Sequence, residues 1–176
     1  AARKFACAIG LVNNDTKQYI PLKNNGNVFT STQTVAKGTK FKIELQNSVE
    51  CYVYIFGQET DGSSYVLFPY TPKHTAFCGI TGYRLFPRGK SLMADEIGNK
   101  DFMAIITSKD ELDVFQLNEA INKNKANGFE NAVNSAIRRQ SVNGVQFNSN
   151  NDGTIQFLTQ TGDKAAVACI IAIDKQ

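Results

Sequence analysis

The chain contains one histidine, no Cys-x-x-Cys pair, no apolar run long enough to cross a membrane, and no acidic residue from Gly62 to Ala94. Each of these absences bears on function. A structural zinc site is built from paired Cys and His ligands at short spacing, and none is present. The longest apolar runs, Phe5 to Val12 and Ala165 to Ile173, fall well short of the ~20 residues of a spanning helix. The opening Ala-Ala-Arg-Lys lacks the apolar core of a signal peptide, so none is expected there. No Gly-rich phosphate loop follows a strand, and EF-hand spacing is missing. A formal charge of +3 on 176 residues is too small to imply nucleic acid, and no RNA-binding signature accompanies it.

Ordinary apolar and charged fractions place the chain among globular proteins, and its length suits one domain, residues 1–176. Asn clusters at 13–14, 24–25 and 148–151 mark polar turns. Phe41, Ile43 and Leu45 alternate with polar neighbours, which predicts a strand with one wet face. Cys51 to Phe56 is apolar at every position, so this strand needs cover on both faces and is central. Phe5 to Val12, Phe102 to Ile106 and Ala165 to Ile173 read the same way. Asp61-Gly62 predicts a hairpin, as does Asn151-Asp152-Gly153 between Val145–Phe147 and Ile155–Leu158.

Helical spacing is confined to residues 114–140. Asp113 is placed to cap a helix carrying Val114, Leu117 and Ile121. Phe129, Ala132, Val133, Ala136 and Ile137 form an apolar stripe about three turns long, closed by Arg138 and Arg139. The expected fold is mainly β: an antiparallel sandwich, Ig-like in general architecture, with an inserted αα-hairpin. Tyr65-Val66-Leu67-Phe68-Pro69 and Tyr83-Arg84-Leu85-Phe86-Pro87 repeat one motif. They read as two strand ends where proline stops the ladder and turns the chain outward.

The run Tyr52-Val53-Tyr54-Ile55-Phe56, then Asp61-Gly62, then Leu67-Phe68-Pro69, resembles a bacterial domain of unknown function. Phe41 to Leu45 and Ile105-Ile106-Thr107-Ser108 extend the likeness over residues 28 to 113. That family occurs as an accessory domain beside caspase-like peptidase and protein-kinase domains. The resemblance implies a sandwich-like accessory module in an envelope or signalling protein and supplies no catalytic residues. Residues 114–176 lie outside it.

Cys7, Cys51 and Cys169 sit in apolar strands and are expected to be free buried thiols, although four cysteines also permit two disulfides. His74 and Cys78 lie four residues apart in a loop, unlike a cysteine-protease dyad drawn from distant elements. Asp95-Glu96 and Asp110-Glu111 read as solvated turn carboxylates, and Asn150 to Gly153 as a hairpin turn rather than a calcium loop. No enzyme activity, metal or cofactor is expected.

The acid-free stretch carries Lys73, His74, Arg84, Arg88 and Lys90 interleaved with Tyr70 and other aromatics. It is the expected binding surface for a protein partner or neighbouring domain with an acidic face. A second reading makes Tyr65, Tyr70 and Tyr83 a stacking platform in a carbohydrate-binding module. A third, a hydrolase, would require a cleft with convergent titratable groups. The expected location is extracytoplasmic.

Overall fold

The computed structural model describes residues 2–71, 73–80 and 82–176. Strands β1 (Arg3–Asn13), β2 (Tyr19–Ile20), β3 (Leu22–Asn25), β4 (Val28–Ser31), β5 (Lys40–Asn47) and β6 (Cys51–Gln58) open the chain. Strands β7 (Ser64–Phe68), β8 (Phe77–Cys78), β9 (Tyr83–Phe86), β10 (Leu92–Met93) and β11 (Lys100–Ser108) follow. Helices α1 (Val114–Lys123) and α2 (Phe129–Ala136) precede β12 (Phe147–Ser149), β13 (Ile155–Thr161) and β14 (Ala166–Asp174).

Two sheets form. The first has the order β10-β5-β1-β13-β12, with β2 on β1 and β9 on β5. The second runs β3-β4-β14-β11-β6-β7, with β8 on β6. Strand pairing is antiparallel except for β4 on β14, where Phe29 stands opposite Ile171. The expected β-sandwich with an inserted helical pair is therefore the observed architecture, with one short parallel strand pairing and two isolated parallel bridges added.

Alternation along β6 explains the layering. Cys51, Val53 and Ile55 point into the inter-sheet core beside Phe5, Ile9, Leu45 and Phe157. Tyr54 and Phe56 point the other way and pack with Leu117, Ile121, Phe129 and Val133 of the helices. The β6 strand is covered on both faces, as its unbroken apolar run requires. Asp113 caps α1, its Oδ1 accepting the N–H groups of Phe115 and Gln116 at 3.0 and 3.1 Å. The Asn122 side chain accepts from the Ser64 N–H at 2.8 Å and donates to its carbonyl at 3.2 Å, fastening α1 to β7.

Several expectations change in detail. The α2 helix stops at Ala136, and Ile137 closes it as a buried cap, so the stripe outlasts the helix. The strand before the Asn151-Asp152-Gly153 turn starts at Phe147 and leaves Val145 outside it. The two repeated motifs are strand ends, as expected: β7 stops at Phe68 and β9 at Phe86, in opposite sheets, with Pro69 and Pro87 next along the chain and buried. Both Phe–Pro bonds are cis. Residues 114–176 are integral to the fold: β14 pairs with β11 from Ala166 to Asp174, and β13 pairs with β1.

Candidate interaction edge

The chain from β7 to β10 crosses from one sheet to the other and closes one side of the sandwich. Phe68 at the end of β7 and Phe86 at the end of β9 meet edge-to-face, with ring centroids 4.7 Å apart. They seal the gap between the sheets with Ile43, Ile55 and Leu67. Beyond this seal, the Tyr70 ring packs edge-on against Phe68 at 5.3 Å and His74 at 5.4 Å. Its hydroxyl accepts the Arg88 main-chain N–H at 2.6 Å. Lys42 Nζ donates to the carbonyls of Pro87 and Lys90 at 2.9 and 2.6 Å, holding the same turn from the other side.

These contacts bring Tyr70, Lys73, His74, Arg88 and Lys90 to one edge. Lys73, His74, Arg88 and Lys90 are exposed, while Tyr70 is half-buried and acts as the joint between the two loops. The His74 Nδ1 is engaged by Thr71 Oγ1 at 2.9 Å.

Arg84 behaves differently. It stands opposite the core residue Leu45, so strand alternation turns its side chain inward. Its Nη2 donates to the Gly79 carbonyl at 3.3 Å. Its Nε is buried without a hydrogen-bond partner among the described residues.

A groove of about 590 Å³ lies beside the edge. Lys73, His74 and Thr75 form one wall; Glu111, Asp113 and Phe115 face them, and Tyr54 lines the groove as well. The stretch without acids in sequence thus shares a groove with two carboxylates from the segment before α1. Asp113 is already committed to capping. The Tyr54 hydroxyl accepts the Leu112 N–H at 2.7 Å, and burial pushes its pKa up to about 12.

The other sequence candidates fall elsewhere. Tyr65 is on β7 and Tyr83 on β9, in different sheets, and Tyr70 is occupied as a joint; the three do not share a sheet face. Cys78 is buried in β8 opposite Cys51, not exposed in a loop beside His74. The four cysteines are free and buried. Burial raises the Cys78 pKa to about 11, with the Arg84 charge pulling against it. Burial raises that of Cys169 further.

Asp95 and Asp101 both pair with Lys175, whose side chain is fully buried. Asp110 pairs with Arg3 at 3.3 Å. The Asp152 carboxylate accepts from Thr154 N and Oγ1 at 3.0 and 2.7 Å, so the hairpin turn occupies it. The Lys175 pairing was missed from sequence. Its signal is a lysine just after an apolar strand, while the acids it pairs with, Asp95 and Asp101, lie 80 and 74 residues away along the chain.

No curated protein and no solved structure matches the chain. Residues 34–110, which carry β5 through β11 and hence the edge's basic and aromatic residues, match the family model for a domain of unknown function, DUF4384.

Proposed function

We propose that the chain is a non-catalytic accessory module of a larger bacterial envelope or signalling protein, on the extracytoplasmic side. It contacts an acidic segment of a neighbouring domain or partner protein. The observation that carries this reading is the Tyr70 joint. By tying the 69–75 loop to the 87–90 turn, it presents Lys73, His74, Arg88 and Lys90 from one supported edge. Cations held on an ordered backbone attract an acidic partner with less ordering cost than cations on free loops. Lys42 adds support through the carbonyls it binds. Location beside a peptidase or kinase domain, as the resemblance implies, would make this edge a contact between domains of one polypeptide.

Calorimetry with a Glu-rich twelve-residue peptide tests the proposal. Binding should weaken as salt rises from 50 to 300 mM and fall at least tenfold in the Lys73→Glu/Arg88→Glu double variant. Salt-independent binding, or no binding, would refute it.

A further inference from the structure

The edge of β14 that faces β4 has a gap in its ladder. Ala166 N–H donates to the Gln140 carbonyl at 2.8 Å, and its carbonyl accepts the Val142 N–H at 2.9 Å. At the other end the pairing with β4 spans only Ile171 opposite Phe29 and Ala172 opposite Thr30. The Asp174 N–H then reaches Ser31 Oγ, and its carbonyl reaches Val35 N–H. Even-numbered residues of β14 therefore direct their main-chain groups to this edge, while Val167 and Cys169 face β11.

Ala168 falls between the two paired stretches. Among the described residues, no hydrogen bond reaches its N–H or C=O on this edge. It is half-buried and opens onto a groove of about 580 Å³, within the ~300–1,000 Å³ range of ligand sites. The groove has Phe29, Val142 and Ile170 on its apolar side and Asn24, Asn134 and Gln146 among its polar residues. No Asp, Glu, Lys, Arg or His lines it.

We propose that this gap is a docking slot for a short, uncharged, extended peptide segment, which adds a single β-rung to Ala168. One main-chain donor and one acceptor on the same residue match the two groups a peptide strand presents to its neighbour. The paired stretches at Ala166 and Ile171 leave roughly 15 Å of strand between them, enough for three or four extended residues. A lining without charge disfavours an ionic occupant, which would lose its hydration without a counter-charge. The site is separate in residues from the basic edge, and its occupant has the opposite character.

Amide hydrogen exchange followed by NMR tests the slot, with acetyl-Ser-Val-Thr-Val-Ser-amide as probe. In the free protein the Ala168 amide should exchange at least tenfold faster than those of Val167 and Cys169. At millimolar peptide it should slow at least tenfold, with shift changes confined to Ala168, Ile170, Phe29 and Val142. A probe N-methylated at its central threonine should give no slowing, because it lacks the donor for the Ala168 carbonyl. Replacement of Val by Glu in the probe should also abolish the effect.

Three results would overturn the proposal. One is equal protection of Ala168 and its neighbours in the free protein; another is equal binding of the N-methylated probe. The third is protection by protein concentration alone or by N-acetylglucosamine in place of peptide, which would assign the gap to a second copy or a sugar. Ala168→Pro removes the N–H without touching the β11 ladder, and should bind no probe if its amide spectrum stays dispersed.

Discussion

The Tyr70 hydroxyl accepts the main-chain N–H of Arg88 across eighteen residues of sequence, joining the loop that leaves one sheet to the turn that leaves the other. Tyr70→Phe keeps the ring on Phe68 and His74 and removes only this bond. Urea unfolding should show a loss of about 1 kcal/mol. Peptide affinity at the basic edge should drop several-fold, since Lys73 and Arg88 would no longer share one support. A stability loss with unchanged peptide binding would show that the joint supports the fold alone.

Arg84, inside the second copy of the repeated motif, and Arg88, just after it, should separate cleanly. Arg88→Glu changes an exposed side chain and should leave the midpoint of thermal unfolding nearly unchanged. Arg84→Glu places a carboxylate against the Gly79 carbonyl and should cost about 2 kcal/mol or more. Thermal melts of both variants decide it. Equal tolerance of the two changes would mean that Arg84 is free to leave the interior.

Lys175 is buried between Asp95 and Asp101, with its Nζ 2.6 Å from Asp101 Oδ1. Burial pulls the lysine's pKa down, but the hydrogen bonds to Asp101 and Asp95 and their charges outweigh it and leave it raised. The hydrogen bond from Lys175 holds the Asp95 carboxyl below its ordinary value of 3.8. Asp95 therefore contributes stability that is present above pH 3.8 and lost as pH falls through its lower folded value. Lys175 contributes stability present below its unfolded value of 10.5 and lost as pH rises through its higher folded one. Urea midpoints measured across pH should fall at both ends. Lys175→Met should flatten both limbs, and an unchanged profile would remove the triad from the stability of the C-terminal strand.

Much of this fold was legible because its signals are local. The uninterrupted apolar run of β6 demanded cover on both faces, and the helices supply one of the two. Asp113 announced the start of α1 by residue type and spacing alone. Features set by distant packing were hidden. Arg84 reads as a surface cation until its register against Leu45 is known, since a strand residue's face depends on its partner. Pro69 and Pro87 announced the ends of β7 and β9, but their burial and the Phe68–Phe86 contact beside them depend on how the two sheets pack. The acid-free stretch implied a basic and aromatic edge, and nothing local showed that the chain returns after β11 and sets Glu111 and Asp113 in the same groove as Lys73.

Gly153 offers a check on the corner where β3 meets the β12–β13 turn. Its φ is +94°, and a Cβ there would lie 2.8 Å from the Pro21 Cα, a backbone atom with no easy retreat. Gly26, at φ +74°, has open space around the same position. Gly26→Ala should cost about 1 kcal/mol through backbone conformation alone, and Gly153→Ala clearly more. Chemical denaturation of the pair measures the difference. Equal costs would show that the Pro21 contact relaxes.

Calorimetric titration of the Glu-rich peptide into the Lys73→Glu/Arg88→Glu variant, beside the unaltered protein at 50 mM salt, tests the basic edge most directly. The predicted result is at least a tenfold loss of affinity with unchanged thermal stability. Equal affinity for the two proteins would contradict it.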